Sequence, residues 1–226
     1  DNRGTCTAAL FEQRFVTGNH DGLAIMWDLN GNRIKEFKSP SGSIQAVAFS
    51  PDGKQVFTAS FNDNVVRCWD LNANLLRTFQ GHQSGINSIV VSPDEKYILT
   101  GSKDRSAILW DTEGKVIQQF NGHYTLVNDA VFSPDGTKIL TASEDHTLIM
   151  WDLQGKSIRT FKAHQSSVRV VKFAPNGQMI ASADNQGKII LWDLYGKVIH
   201  ELKGQTFIND LRFSTDGHSM LTASSD

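Results

Sequence analysis

All five tryptophans of the 226-residue chain are followed by aspartate, at Trp27, Trp69, Trp110, Trp151 and Trp192, in steps of 42, 41, 41 and 41 residues. The text around them repeats in phase. VFTAS, ILTGS, ILTAS and MIASA precede the pairs, while WDLNGNRI, WDLNANLL, WDTEGKVI, WDLQGKSI and WDLYGKVI begin with them. A third phrase keeps the same place in successive units: FSPDGKQ, VSPDEKY, FSPDGTK, FAPNGQM and FSTDGHS. Self-similarity at a period near 41 means one supersecondary unit copied along the chain, each copy burying its faces against its neighbours.

The phrases spell four strands per unit. Ser-Pro-Asp-Gly at Ser50 to Gly53 and Ser133 to Gly136 puts proline where a turn wants a fixed negative φ and glycine where a positive φ is needed. It links two short apolar runs as a hairpin. SIQAVAF, NSIVV and VRVVKF are short and rich in β-branched residues, the composition of strands. Asn30-Gly31, Glu113-Gly114, Gln154-Gly155 and Tyr195-Gly196 supply a tight turn after each Trp-Asp. LIMW and IILW are apolar on both faces, as strands are when their sheet is covered on both sides.

Composition narrows the function classes. Twenty-two basic and 24 acidic side chains leave a net charge of −2 with no like-charged run, which offers no footprint for nucleic acid or an anionic membrane as the main partner. No apolar run approaches a membrane span, and DNRGTCTAAL lacks the order of a signal peptide. Cys6 and Cys68 make neither a disulfide framework nor a metal cluster, so a cytoplasmic setting is expected.

Period, Gly-His, turn aspartate and closing Trp-Asp together resemble the WD-repeat β-propeller family, from about Thr5 to Asp226. The resemblance implies an all-β fold, a β-propeller of four-stranded antiparallel blades, with one propeller domain over 1–226. Its blades are expected at about 5–37, 43–79, 85–120, 126–161 and 167–202, with a partial blade at 207–226. Counting back six residues from each tryptophan gives Asp21, Asp63, Asp104, Asp145 and Gln186, and Asp226 continues the series. About five and a half blades are therefore expected, as part of a seven-bladed ring by family likeness. The repeats are also similar to those of bacterial multidomain regulators.

His82, His123 and His164 stand 41 apart and invite a metal or catalytic reading. Their offsets point elsewhere. His82 precedes Thr100, Asp104 and Trp110 as His123 precedes Thr141, Asp145 and Trp151. In the family such a quartet forms a hydrogen-bond chain within one blade, whereas zinc needs ligands converging on one point. His164, Ser182 and Trp192 lack the aspartate, replaced by Gln186. Pro40 stands in for the histidine beside Thr58, Asp63 and Trp69, with an extra residue near Phe61-Asn62, and Gln205 replaces the last histidine. These units are expected to lack part of the tie.

Loops on a rigid scaffold carry binding. The rim bearing Gly-His and the turn aspartates should present the first-strand residues Gln45, Asn87, Asn128, Arg169 and Asn209, with Ser43, Gly85, Leu126, Ser167 and Phe207 two positions earlier. It should also present His20, Asn62, Lys103, Glu144, Asn185 and Ser225, just before the turn aspartate position. These residues vary between units while the surrounding text does not. Tyr124, Leu126 and Phe207 are the candidate apolar anchors, and Arg169 beside Asn128 and Asn209 suits an acidic or backbone-amide ligand. No phosphate-cradling loop, His-Glu-x-x-His or Gly-x-Ser-x-Gly occurs. Asp129 and Asp210, which follow rim asparagines, are read as sheet residues rather than as an acid-base pair. The expectation is a non-catalytic scaffold without cofactor or metal that binds a protein or peptide. The competing class is a propeller enzyme or small-ligand binder using the central channel.

Overall fold

The computed structural model describes residues 5–40, 42–204 and 207–224, with the backbone alone for 5–8. The expectations about Gln205, Ser225 and Asp226, and about the Cys6 side chain, lie outside the described residues. Among the described residues every regular element is a strand. No helix is long and apolar enough to cross a membrane.

Five four-stranded antiparallel sheets and one two-stranded sheet follow in chain order. The first holds β1 (Thr5–Phe11), β2 (Arg14–Asn19), β3 (Leu23–Asp28) and β4 (Arg33–Lys38). The second holds β5 (Ile44–Phe49), β6 (Gln55–Ser60), β7 (Val65–Asp70) and β8 (Leu75–Gln80), and the third β9 (Ile86–Val91), β10 (Tyr97–Ser102), β11 (Ser106–Asp111) and β12 (Val116–Asn121). The fourth comprises β13 (Val127–Phe132), β14 (Lys138–Ser143), β15 (Thr147–Asp152) and β16 (Ser157–Lys162). The fifth comprises β17 (Val168–Phe173), β18 (Met179–Asp184), β19 (Lys188–Asp193) and β20 (Val198–Lys203), before the pair β21 (Ile208–Phe213) and β22 (Met220–Ser224). Each sheet is one sequence repeat, giving a partial β-propeller of about five and a half blades.

Turn chemistry makes these meanders. Ser50 Oγ donates to Asp52 Oδ1 at 2.6 Å and accepts from Gln55 N at 3.0 Å, while Gly53 N reaches Ser50 O at 2.9 Å. Gly53 takes φ +68°, and Glu95 is held at +62° in the equivalent turn, a conformation glycine adopts freely and glutamate does not. The serine hydroxyls, seconded by the Lys54 and Thr137 backbone N–H groups, hold Asp52 and Asp135 down to about 2. The aspartate of each Trp-Asp closes the opposite turn. Asp28 Oδ1 accepts from Asn30 N at 2.9 Å and Asn32 N at 2.8 Å, and Asp70, Asp111, Asp152 and Asp193 repeat this.

The chain divides into two compact units, one reaching Asp104 and including Ile108–Ile117, the other made of Arg105–Ala107 and the residues from Gln118. In the first, Phe37 meets Trp69 with ring centroids 6.1 Å apart and Phe79 meets Trp110 edge-on at 5.9 Å. In the second, Phe120 meets Trp151 at 5.7 Å and Phe161 meets Trp192 at 5.5 Å. Each of these four tryptophans thus rests on the fourth-strand phenylalanine of the repeat before it, while Trp27 stacks on Phe15 of its own sheet. Such pairs add about 0.5–1.5 kcal/mol beyond the area they bury. Cys68 belongs to this interior, and burial pushes its thiol up to about 11 against the weaker opposing charge of Arg77, which leaves it a packing residue without thiolate reactivity.

Candidate functional site

The polar residues that repeat are bonded within their own sheets. His82 Nδ1 lies 2.7 Å from Asp104 Oδ2 and its Nε2 2.7 Å from Thr100 Oγ1, which accepts from Trp110 Nε1 at 2.9 Å. His123 makes the same contacts to Asp145 and Thr141 at 2.8 Å each, with Trp151 Nε1 donating to Thr141 Oγ1 at 3.0 Å. One histidine tautomer satisfies the chain: Nδ1–H donates to carboxylate and Nε2 accepts from threonine. Burial favours the neutral acid at Asp145, yet hydrogen bonds from His123, Thr147 and the Tyr124 N–H outweigh it and hold the carboxyl well below the usual range.

Two units depart from the expected loss of the tie. In the fifth sheet Gln186 does not leave His164 without a carboxylate, because Asp184, two residues earlier, takes the role. His164 Nδ1 lies 2.8 Å from Asp184 Oδ2 and its Nε2 2.7 Å from Ser182 Oγ, which accepts from Trp192 Nε1 at 2.8 Å. Asp184 Oδ1 also accepts from Gln186 N and Lys188 N at 2.9 and 3.0 Å. In the second sheet Pro40 does not leave Asp63 without a basic partner. Arg67 NH2 pairs with Asp63 Oδ2, and NH1 donates to Ser39 Oγ at 3.1 Å, while Trp69 Nε1 donates to Thr58 Oγ1 at 2.9 Å. The sequence carried both signals unread. Arg67 stands two before its tryptophan, where the other repeats have Ile25, Ile108, Ile149 and Ile190, and Asp184 occupies the place of Ser143.

Burial, the larger effect, lowers the pKa of His164 from 6.5 despite the opposing pull of Asp184. The folded state therefore favours the neutral ring. Its contribution is complete above about pH 6.5 and is lost as pH falls from there through the folded value, because the unfolded chain binds the proton first. Urea unfolding should give a lower midpoint at pH 5.5 than at pH 7.5, and His164→Gln should flatten that difference. Equal slopes in the two proteins would refute it. Asp145 adds a second loss below about pH 4, since a depressed carboxylate stabilises only while ionised.

The first-strand candidates share one backbone feature. Ile44 pairs with Ser60 and Ala46 with Ala59, so Gln45 falls between two registered pairs, at a bulge. Asn87, Asn128, Arg169 and Asn209 fall at the same shift, between Ile86 and Ser88, Val127 and Asp129, Val168 and Val170, and Ile208 and Asp210. A bulge bends the strand and re-aims one side chain. In the first unit Gln45 and Asn87 are half-buried, and Lys103 is exposed with Nζ 4.2 Å above the Phe61 ring. In the second, Arg169, Asn209 and Glu144 are exposed and Leu126 half-buried. Tyr124 is 85% exposed and Phe207 54%, the latter at φ +52° with its N–H on Asn185 O at 3.2 Å. Asn128 is drawn into the scaffold instead, its Nδ2 donating to Val168 O at 2.8 Å and Ser167 Oγ at 3.2 Å. Asp129 Oδ2 accepts from Val171 N at 3.1 Å and Lys172 Nζ at 2.5 Å, which occupies it in sheet-to-sheet bonding. Among the described residues no three His, Cys, Asp or Glu side chains are grouped to hold a metal ion.

A family model described as WD domain, G-beta repeat matches residues 31–70, 73–111, 114–152, 155–193 and 196–226. No curated protein matches the chain.

Proposed function

Because the chain belongs to the WD-repeat family, whose members generally act as protein-interaction scaffolds, we propose that it is a non-catalytic platform holding a protein or peptide on its loop rim. The observation that carries this reading is the contrast within the second unit. Histidine, hydroxyl, carboxylate and tryptophan are spent on tying together each of the four-stranded sheets β13–β16 and β17–β20, while Tyr124, Glu144, Arg169, Phe207 and Asn209, at the bulge and loop positions beside them, stand in solvent. Arg169 offers an exposed guanidinium, and Tyr124 and Phe207 offer aromatic area of the kind that anchors interfaces. Phe207 holds a positive φ, uncommon for a bulky residue, and such strain concentrates at working surfaces. Gln45, Asn87 and Lys103 would serve the same role in the first unit, with Leu126, Glu144 and Asn209 beside the anchors of the second. The propeller would act as a sensing or docking part of a larger regulatory protein in the cytoplasm.

Arg169→Glu and Phe207→Ala should each lower partner capture about tenfold or more, the effect of losing one anchor of roughly 1.4 kcal/mol, with little change in melting temperature. Quantitative pull-down against the unaltered chain is the measurement. Undiminished capture of every partner by both variants removes the rim from the proposal.

A further inference from the structure

Val91, Glu95 and Thr112 break the repeat at three places where the other copies agree. The residue that ends the first strand is Phe49, Phe132, Phe173 or Phe213 elsewhere, but Val91 in the third copy. The residue that closes the following turn is Gly53, Gly136, Gly177 or Gly217, but here Glu95. The residue after Trp-Asp is Leu29, Leu71, Leu153 or Leu194, but here Thr112.

The three departures meet in space. With Gln55, Phe57 and Arg77 they line a cavity of about 260 Å³ in the first unit. It opens at the sheet ends that carry the β5–β6, β9–β10 and β11–β12 turns, opposite the ends that carry the turn aspartates. Valine for phenylalanine and threonine for leucine make room, while glutamate and threonine bring a carboxylate and a hydroxyl. Glu95 does so at φ +62°, a conformation that strains a side-chain-bearing residue and that glycine takes freely. The turn therefore gains nothing from this glutamate. A cavity of about 210 Å³ at the same place in the second unit has none of these changes. Phe173, Gly177 and Leu194 wall it, Lys138 stands in the place of Gln55, and Arg159, the counterpart of Arg77, does not line it.

The polar groups of the first cavity keep bonding capacity in hand. Among the described residues the Glu95 and Thr112 side chains have no hydrogen-bond or ion-pair partner. Gln55 Oε1 accepts from the Cys68 thiol at 3.3 Å, which leaves the amide N–H groups of Gln55 available. Arg77 NH2 lies 3.3 Å from Glu113 Oε1, but the Glu113 side chain is 73% exposed, and such a surface pair yields readily to water or to a competing anion. Donors for a carboxylate, an acceptor for an ammonium and an apolar wall thus share one small space. Ligand pockets for drug-sized molecules start at roughly 300 Å³, so the occupant has few heavy atoms.

We propose that this cavity binds a free α-amino acid with an apolar side chain. Arg77 and Gln55 take its carboxylate, Glu95 its ammonium, and Phe57 and Val91 its side chain.

Calorimetric titration of the whole chain with L-leucine is the test, and one molecule per chain is expected to bind. Isoamylamine and isocaproate keep the tail and one charge each, and should bind about tenfold more weakly or worse for the charged hydrogen bond they lack. Glu95→Gly restores the residue of the other repeats, so it should melt no lower than the unaltered chain while leucine binding falls about tenfold or more. Thr112→Leu, also a residue the repeat already uses, should fill the cavity with the same result. Absence of leucine binding, or leucine binding unchanged in either variant, overturns the assignment. Isoamylamine or isocaproate binding as tightly as leucine would make the site one for organic cations or anions and overturn it equally.

Discussion

Asp184→Ala should lower the free energy of unfolding by about 3–5 kcal/mol, measured by urea denaturation at pH 7.5, the range for removing one partner from a buried, hydrogen-bonded charge network. The carboxylate is almost wholly enclosed and serves two masters: Oδ2 holds His164 while Oδ1 closes the turn through Gln186 N and Lys188 N. Deleting it leaves the buried imidazole N–H of His164 without an acceptor, at about 1–3 kcal/mol, and removes the acceptor of two part-buried turn amides, at about 0.5–1.5 kcal/mol each. Gln186→Asp alone should change little, since Asp184 already fills the role. The double change Asp184→Ser with Gln186→Asp copies the fourth sheet, where Ser143 and Asp145 share the two jobs, and should recover most of the loss. A cost under about 1 kcal/mol for Asp184→Ala would contradict this account of the fifth blade.

Arg67→Ala carries the second large effect, about 2–4 kcal/mol by the same measurement, trimmed from the fully buried range because the Asp63 side chain keeps 21% of its exposure. Arg67 is itself buried, bridges Asp63 to Ser39, and lies across the ladder from Thr58, which receives the Trp69 indole. It does by reach what a histidine does by position in the third and fourth blades. Arg67→Lys should cost about half as much, because a single ammonium cannot bridge both acceptors with the fork of a guanidinium. If lysine behaves like the unaltered arginine, the bridge to Ser39 contributes nothing.

These two residues mark where reading by period ran out. Strands and turns were legible because their causes are local: a proline and a glycine two residues apart, as in Pro51 and Gly53, dictate a turn wherever they stand. The quartets of His82 and His123 were legible because offset and spatial role coincide. At Asp184 and Arg67 the same role is filled from a different offset, and only the fold shows that a carboxylate at the end of β18 or a guanidinium on β7 reaches the same spot. Departure from a column of isoleucines was the available hint at Arg67. Asn128 shows the reverse failure, since a rim position by count turned out to spend its amide on β17.

The bulge shared by the first strands bears on how such a chain can change. A residue that falls between registered pairs and faces solvent, as Arg169 does, can be exchanged without moving any rung of the ladder, so mutation there alters what the surface presents at little cost to folding. Duplication of a repeat copies that permissive position along with the blade. A lineage of such proteins can therefore diversify its recognition one codon per blade, and explore new partners without first passing through poorly folded intermediates.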